Sequence, residues 1–335
     1  MTSSRRRFLL GTIALGGASI TPGVSRAAGA AALDQAAGVQ SATTPPVANE
    51  QTPNALSYRR NWGRWGANDP MGAVNLITPQ KRAAAAALVK TGRAVSLSRV
   101  FEPDQHFVRI NDRGAGASVI DYYGFLYHGV SVTHVDALCH VWDRNGMWNG
   151  RDPAKEIDTN GARFADITAF SGGLITRGVL LDVPRHRRTA HVTMDRPVEG
   201  AELETIAKAQ AVVIEPGDAL LVYSGREAFV RDVAAYGPST GARPGLHVSC
   251  AKFIRDKDVA VLGWDMHDAM PDKDGLPWPV HGVIYSYGVT LLDNALLEPL
   301  AQACAEERRY EFMFMALPLK IARGTGSPVN PIAMF

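Results

Sequence analysis

The chain has 335 residues, with hydrophobic and charged fractions of 46% and 20% that are ordinary for a globular protein. That length suits one large domain or two small ones. A net charge of +2 with scattered basic residues gives no argument for nucleic-acid or anionic-membrane binding, and the three well-separated cysteines, Cys139, Cys250 and Cys304, imply no disulfide framework.

At the N-terminus, Ser4-Arg5-Arg6-Arg7-Phe8-Leu9-Leu10 fits the twin-arginine pattern. A moderately apolar stretch to Ile20 follows, then the small-residue cleavage site Ser25-Arg26-Ala27. Residues 1–27 therefore read as a twin-arginine signal peptide and the mature protein as periplasmic or secreted. The stretch is too short and too glycine-rich to span a membrane, and no other segment approaches that length. Export in the folded state would allow a metal to be loaded first and suits unpaired cysteines. Residues 28–55, rich in Ala, Thr, Pro, Gln and Asn without a hydrophobic period, read as a flexible linker, leaving 56–335 as the domain.

Thr78 is placed to N-cap a helix with Pro79 in its first turn, propagated through Ala83–Val89 and ended by Gly92. Ala94–Val100 alternates like a strand, and Val119–Asp136 is rich in β-formers and aromatics. Val179–Val183, Ala219–Tyr223 and Val259–Gly263 read as buried strands. Helices are expected over Glu199–Gln210 and Ser249–Arg255. This alternation predicts an α/β fold, a mixed sheet with flanking helices, rather than a β-sandwich. No glycine-rich fingerprint follows a strand and opens a helix, so neither a dinucleotide site nor a P-loop is indicated.

The densest chemistry lies in Tyr127–His140. His128, Val130, Val132, His134 and Asp136 are evenly spaced and, on a strand, would share one face. A single buried His beside an Asp is ordinary hydrogen-bonded core. His134, Asp136 and His140 together, at i, i+2 and i+6, are costly on an apolar face unless a divalent cation pairs with them. Cys139 as a nucleophile ranks third among the chemistries. Asp265 and His267 alternate at the end of a predicted strand, as ligands or, preferably, as a pocket wall or as partners orienting a ligand. His106, His186, His191 and His247 read as surface histidines. Trp65, Tyr122, Tyr123, Phe125, Trp142 and Trp278 are candidates to shape a pocket, with Trp65 in its Arg-Trp-Gly loop the first choice for substrate binding.

Thr133-His134-Val135-Asp136-Ala137-Leu138-Cys139-His140 resembles the T-H-x-D-A-x-x-H core of the cyclase family, which includes bacterial kynurenine formamidase and isatin hydrolase. The likeness extends to Leu276-Pro277-Trp278-Pro279-Val280-His281, to Leu292-Asp293-Asn294, to Leu317–Lys320 and Gly324–Val329, and to Arg64–Asp69 with Gly72–Leu76. The resemblance implies a swivelling β/β/α-like fold and a homo-oligomer, dimer or tetramer. It implies one or two divalent ions, zinc or manganese, held by His134, Asp136, His281 and Asp293, with His140 as general acid/base. Two departures stand out. The family's first ligand falls at Val130, where His128, two residues earlier, is a tentative substitute alongside Asp265 or His267. The bridging glutamate is the shorter Asp293.

The implied activity is hydrolysis of carbon–nitrogen amide bonds, with hydroxide at the metal attacking an aryl formamide of the N-formylkynurenine type and His140 shuttling the proton. Cyclic amides of the isatin type are the close second. A metal-dependent lyase or cyclase, and a non-catalytic periplasmic metal or ligand binder, are the rivals from other classes.

Overall fold

The computed structural model describes residues 55–237, 241–273 and 275–335. The expected signal peptide and all but the last residue of the expected linker lie outside the described residues. Helix α1 (Pro79–Ala86) and strand β1 (Ala94–Ser96) are followed by a long hairpin, β2 (Gln105–Asp112) with β3 (Ala117–Gly124), and by the three-residue β4 (His134–Asp136). A single turn α2 (Pro153–Glu156) and a ribbon of β5 (Ile157–Asp158) and β6 (Gly161–Ala162) precede the alternating core. That core runs β7 (Leu174–Asp182), α3 (Val183–Arg187), α4 (Gly200–Ala209), β8 (Ala219–Tyr223), α5 (Arg226–Asp232), α6 (Ser249–Asp256), β9 (Val261–Trp264), α7 (Val283–Tyr287), β10 (Thr290–Asp293) and α8 (Glu298–Glu307). Strands β11 (Glu311–Ala316), β12 (Gly326–Pro328) and β13 (Ile332–Met334) follow.

Nine strands form one mixed sheet in the order β1-β13-β11-β7-β8-β9-β10-β4-β12. The central run β7-β8-β9-β10 is parallel and its flanks are antiparallel. Every residue of β8 and β9 is buried, so both faces of these parallel strands are covered and they read as unbroken apolar runs. Leu180, Leu181, Leu220, Leu221, Val222 and Leu262 are fully buried, each contributing roughly 1.5–3 kcal/mol by leaving water. The fold class is as expected: α/β, with a large mixed sheet and flanking helices. No helix among the described residues is long and apolar enough to cross a membrane.

Local expectations are met at caps and missed at ends. Thr78 caps α1 by accepting the Lys81 N–H at 3.1 Å, but the helix stops at Ala86 rather than reaching Gly92. The strand expected over Ala94–Val100 pairs with β13 only through Ser96. The stretch from Val119 to Asp136 is not one β-rich run. Residues 125–133 form a loop, Gly129 takes a φ of +132°, and only His134 and Asp136 alternate on a strand. The reason is register. β4 is paired on both sides over three residues, whereas the carbonyls of Gly129 and Val130 upstream are taken by the Asn294 and Arg226 side chains instead of by a strand.

The β2–β3 hairpin stands apart from the sheet, with both of its faces open. Phe107, Ile110, Val119, Tyr122 and Tyr123 are each more than half exposed there. A lone two-stranded hairpin is marginally stable in water, and an apolar patch of this extent calls for a cover.

Candidate metal centre

β4 lies between β10 and β12, with His134 opposite Asp293 and Asp136 opposite Leu291 and Gly326. Residues two apart on a strand share a face, as do residues directly opposite across a ladder. His134, Asp136 and Asp293 therefore project to one side. His134 Nδ1 donates to the Val132 carbonyl at 2.8 Å, which turns Nε2 toward Asp136, 3.4 Å away. His128 reaches the same carboxylate from the preceding loop. Its Nε2 engages the Thr325 hydroxyl at 3.0 Å and its Nδ1 lies 3.0 Å from Asp136 Oδ1. A Cβ on Gly326 would sit 3.0 Å from the His128 ring and 2.6 Å from the Val135 carbonyl oxygen, so a glycine at this position makes room for the imidazole. His140, in the turn after β4, stacks on His128 with ring centroids 3.7 Å apart and places Nε2 3.8 Å from Asp136.

A second half of the centre comes from β9, β10 and the loop before α7. His281 Nε2 lies 3.1 Å and His267 Nε2 3.6 Å from the same oxygen of Asp293. The Trp264 indole N–H donates to the other oxygen. Asp268 pairs with His281 Nδ1 and accepts the His281 main-chain N–H at 2.9 Å. A carboxylate behind an imidazole in this way sets its tautomer and aims Nε2 forward.

Three overlapping sets emerge, each with its ligand atoms within 4.8 Å of one another: His128, Asp136 and His140; His134, Asp136 and Asp293; His267, His281 and Asp293. His128 Nδ1, both oxygens of Asp136 and His267 Nε2 are buried without a hydrogen-bond partner. At 3.0 Å the His128–Asp136 approach is close but not aligned for a hydrogen bond. Buried, unsatisfied polar groups of this kind each carry a cost of about 1–3 kcal/mol, more for charges. A divalent cation removes that cost, because neutral imidazole and carboxylate are its natural ligands. The residues present fit such an ion.

Electrostatics divide the histidines. Burial alone pushes His134 down, but the Asp136 carboxylate more than reverses this and holds it at about 9. His281 is likewise raised well above its usual value, Asp268 and Asp293 outweighing burial. Burial takes His140 down to about 4 and His267 to about 3. Asp136 is held well below the usual carboxylate range, and Asp293 falls to about 2, the surrounding imidazoles overcoming burial. At pH 7 the metal-free centre thus carries protons on His134 and His281 that a cation must expel. Cation affinity should therefore rise with pH through the neutral range, by about tenfold per unit for each proton released. Titration calorimetry in buffers of different ionisation enthalpy reads that release directly; an enthalpy independent of buffer would contradict it.

The structure brings together His128, His134, Asp136, His140, His281 and Asp293. It does not bring Trp65 to them: that indole packs on Trp148 at 6.3 Å beneath the Arg64 guanidinium. Trp278 lies beside His281, with centroids 5.7 Å apart, whereas Tyr122 and Tyr123 sit on the open hairpin. The sequence pattern by itself leaves His267 as an alternative ligand and does not single out Asp268. His267 faces Asp293 as a potential ligand, and Asp268 aims His281. The signal was the Asp265-x-His267 alternation at a strand end. Asp265 itself is occupied by the main-chain N–H groups of Ser224, Gly225 and Arg226 at 2.7–2.9 Å. Cys139 is buried, and burial pushes its thiol up to about 12, so it offers no thiolate. A cavity of about 750 Å³ lined by Arg187, Arg196, Glu199, Glu202, His247 and Lys273 among others contains none of the unpartnered atoms.

A family model described as "Putative cyclase" matches residues 95–269. It ends short of His281 and Asp293. Among solved structures, one described as a novel cyclase is 29% identical, with 82% of this chain and 97% of that chain covered and a TM-score of 0.72. Isatin hydrolase A from Ralstonia solanacearum is 18% identical over 76% of this chain and 97% of its own, with a TM-score of 0.49. A predicted metal-dependent hydrolase from Bacillus stearothermophilus is 16% identical over 73% and 98%, with a TM-score of 0.44. No curated protein matches the chain.

Proposed function

The chain belongs to the cyclase family, and on that premise we propose that it is a metal-dependent hydrolase of carbon–nitrogen amide bonds, acting on small aryl formamides of the N-formylkynurenine type. The observation that carries the metal is Asp136, a fully buried carboxylate with both oxygens unpartnered and the imidazoles of His128, His134 and His140 within 3.8 Å. His134, Asp136, His281 and Asp293 would hold one or two zinc or manganese ions, with His128 and His267 completing the shell. The amide specificity comes from the likeness of the His134–His140 motif to the formamidases. When bound, the cation supplies Lewis acidity, lowering the pKa of a water and polarising a carbonyl.

His140 and His128 are the open side of the centre, their side chains 22% and 28% exposed against 7% or less for His134, His267 and His281. Substrate therefore meets His140 first. Its imidazole is neutral at pH 7, so it can accept a proton from the attacking water and return it to the leaving nitrogen. The carbonyl carbon gains the water oxygen, the C–N bond breaks, and formate and a free arylamine result. Trp278, against His281, offers an apolar wall to the aryl ring. The test is a purified-protein assay of formate and arylamine release, with an isatin-like lactam, whose opening yields no formate, as the comparison. Chelation should abolish turnover and added metal restore it. Turnover indifferent to chelation, or no turnover of any amide by metal-loaded protein, would overturn the proposal.

The homo-oligomer belongs to the same proposal. The exposed apolar side chains of the hairpin amount to roughly 800 Å² by ordinary side-chain areas, about what each partner of a standard interface buries. Phe107→Asp with Ile110→Asp should convert the assembly to monomers in light scattering; unchanged mass would place the interface elsewhere. Export by the twin-arginine route is proposed from residues 1–27 alone. Replacing Arg5, Arg6 and Arg7 by lysine should hold the protein in the cytoplasmic fraction, and continued export would argue against it.

A further inference from the structure

Asn294 follows the candidate ligand Asp293 directly, is fully buried, and takes a left-handed φ of +55°. That backbone turn points its carbonyl and its side chain at the loop that carries His128. The carbonyl accepts the Thr133 hydroxyl at 2.8 Å and Arg99 Nε at 3.0 Å. The side-chain amide donates to the Gly129 carbonyl at 2.5 Å and to the Val132 carbonyl at 3.1 Å. Val132 also accepts from His134 Nδ1, so a single carbonyl is shared by Asn294 and a candidate ligand.

Arg226 completes the arrangement. One guanidinium nitrogen donates to Asn294 Oδ1 at 2.7 Å and the other to the Val130 carbonyl at 2.5 Å. Its planar face lies over the Tyr236 ring, 4.6 Å from the centroid, and the Tyr236 hydroxyl accepts the His267 main-chain N–H at 2.7 Å. The side chain starts from the first residue of α5, whose main-chain N–H is held by Asp265 at 2.9 Å. Gly225 just before it has a φ of +85° and approaches the Ala190 carbonyl so closely that a Cβ would lie 2.5 Å away. Arg226 is 8% exposed, and its guanidinium donates to amide oxygens. A buried cation is an expensive way to tie down a loop, and its rigid fork is suited to two carbonyl-type acceptors at once.

We propose that Arg226 and Asn294 form a buried clamp that positions both halves of the centre, fixing the Gly129–Val132 loop so that His128 and His134 face Asp136, while Tyr236 carries the same guanidinium's placement to His267. Both are positioning residues, and the proposal rests on the metal-centre reading above. It explains how a loop, rather than a strand, can hold His128 at 3.0 Å from a carboxylate.

The experiment uses the full chain, stripped by chelation and titrated with Co²⁺, whose visible absorption reports ligand geometry. Asn294→Asp keeps the side chain's size and its acceptor for Arg226 but replaces the donor to Gly129 and Val132 with an oxygen. Arg226→Lys keeps the charge and loses the fork. Each should weaken Co²⁺ binding by about ten- to a hundredfold and alter the absorption bands, and the double variant should be little worse than either single one because both act through one contact set. Hydrogen exchange on the metal-free proteins should show faster exchange confined to the amides of residues 129–134. Wild-type Co²⁺ affinity and spectrum in both variants would overturn the clamp, as would exchange that quickens evenly over the sheet. If wild-type protein takes up no Co²⁺ the metal reading itself fails, and the exchange measurement alone then decides whether the loop is clamped.

Discussion

Asp136→Asn is expected to empty the centre of its cation and to lower amide hydrolysis by on the order of a thousandfold or more, the several kcal/mol of charge stabilisation that a metal supplies. The substitution keeps the shape of a fully buried side chain while removing the charge around which His128, His134 and His140 gather. Asp136 and Asp293 each belong to two of the three ligand sets, and Asp136 is the one carboxylate that His128, His134 and His140 all approach. The readout separates binding from folding. Saturating zinc or manganese at about a hundred times Kd should stabilise the wild-type protein by about 2.7 kcal/mol, several degrees in Tm. The variant should show no metal-dependent rise. Metal content and thermal shift equal to wild type would remove Asp136 from the centre. The metal-free wild type carries a second signature. His134, raised to about 9 in the folded state from 6.5, contributes stability that is complete below pH 6.5 and is lost as pH climbs through 9, where metal-loaded protein should hold its Tm.

His140→Ala should separate chemistry from binding. Loss of a general acid/base costs about a hundred- to ten-thousandfold in kcat, while metal content stays near wild type because His134, Asp136, His281 and Asp293 remain. His281→Ala should instead lose metal and activity together. The pH profile sharpens the contrast. A base must be unprotonated, and with its pKa near 4 His140 is in that form throughout the neutral range. Activity lost on acidification should therefore follow metal release, as protons return to His134 and His281, and excess metal should shift that limb to lower pH. An acid limb unmoved by metal concentration would assign that limb to a titrating base instead of metal release, and a His140→Ala protein that has lost its metal would reassign His140 as a ligand.

How much of this could be read along the chain depends on distance in sequence. The Thr78 cap, the buried strands over residues 179–183 and 219–223 and the helices after Glu199 and Ser249 rest on local periodicity and capping chemistry, and the structure places elements at each. The His134-x-Asp136 pair was legible for the same reason, since alternation on a strand is a property of adjacent residues. Even spacing alone puts His128 on the same strand. It reaches the carboxylate by a loop instead, since pairing ends at His134 and side chains from residues 226 and 294 satisfy the backbone before it. Trp65 looked like a recognition residue in a loop and is packed on Trp148, a contact that no local pattern announces.

The amino-acid order by itself determined an α/β alternation and a histidine–aspartate cluster with the composition of a cation site. Only the tertiary structure decided that His267 and His281 share Asp293, that Asp268 stands behind His281, and that Arg226 grips the loop before His134. Those pairings join segments 12 to 96 residues apart. They follow from which strand ends become neighbours when β4 enters the sheet beside β10, and sheet order is set by burial of the whole core rather than by any one segment's pattern.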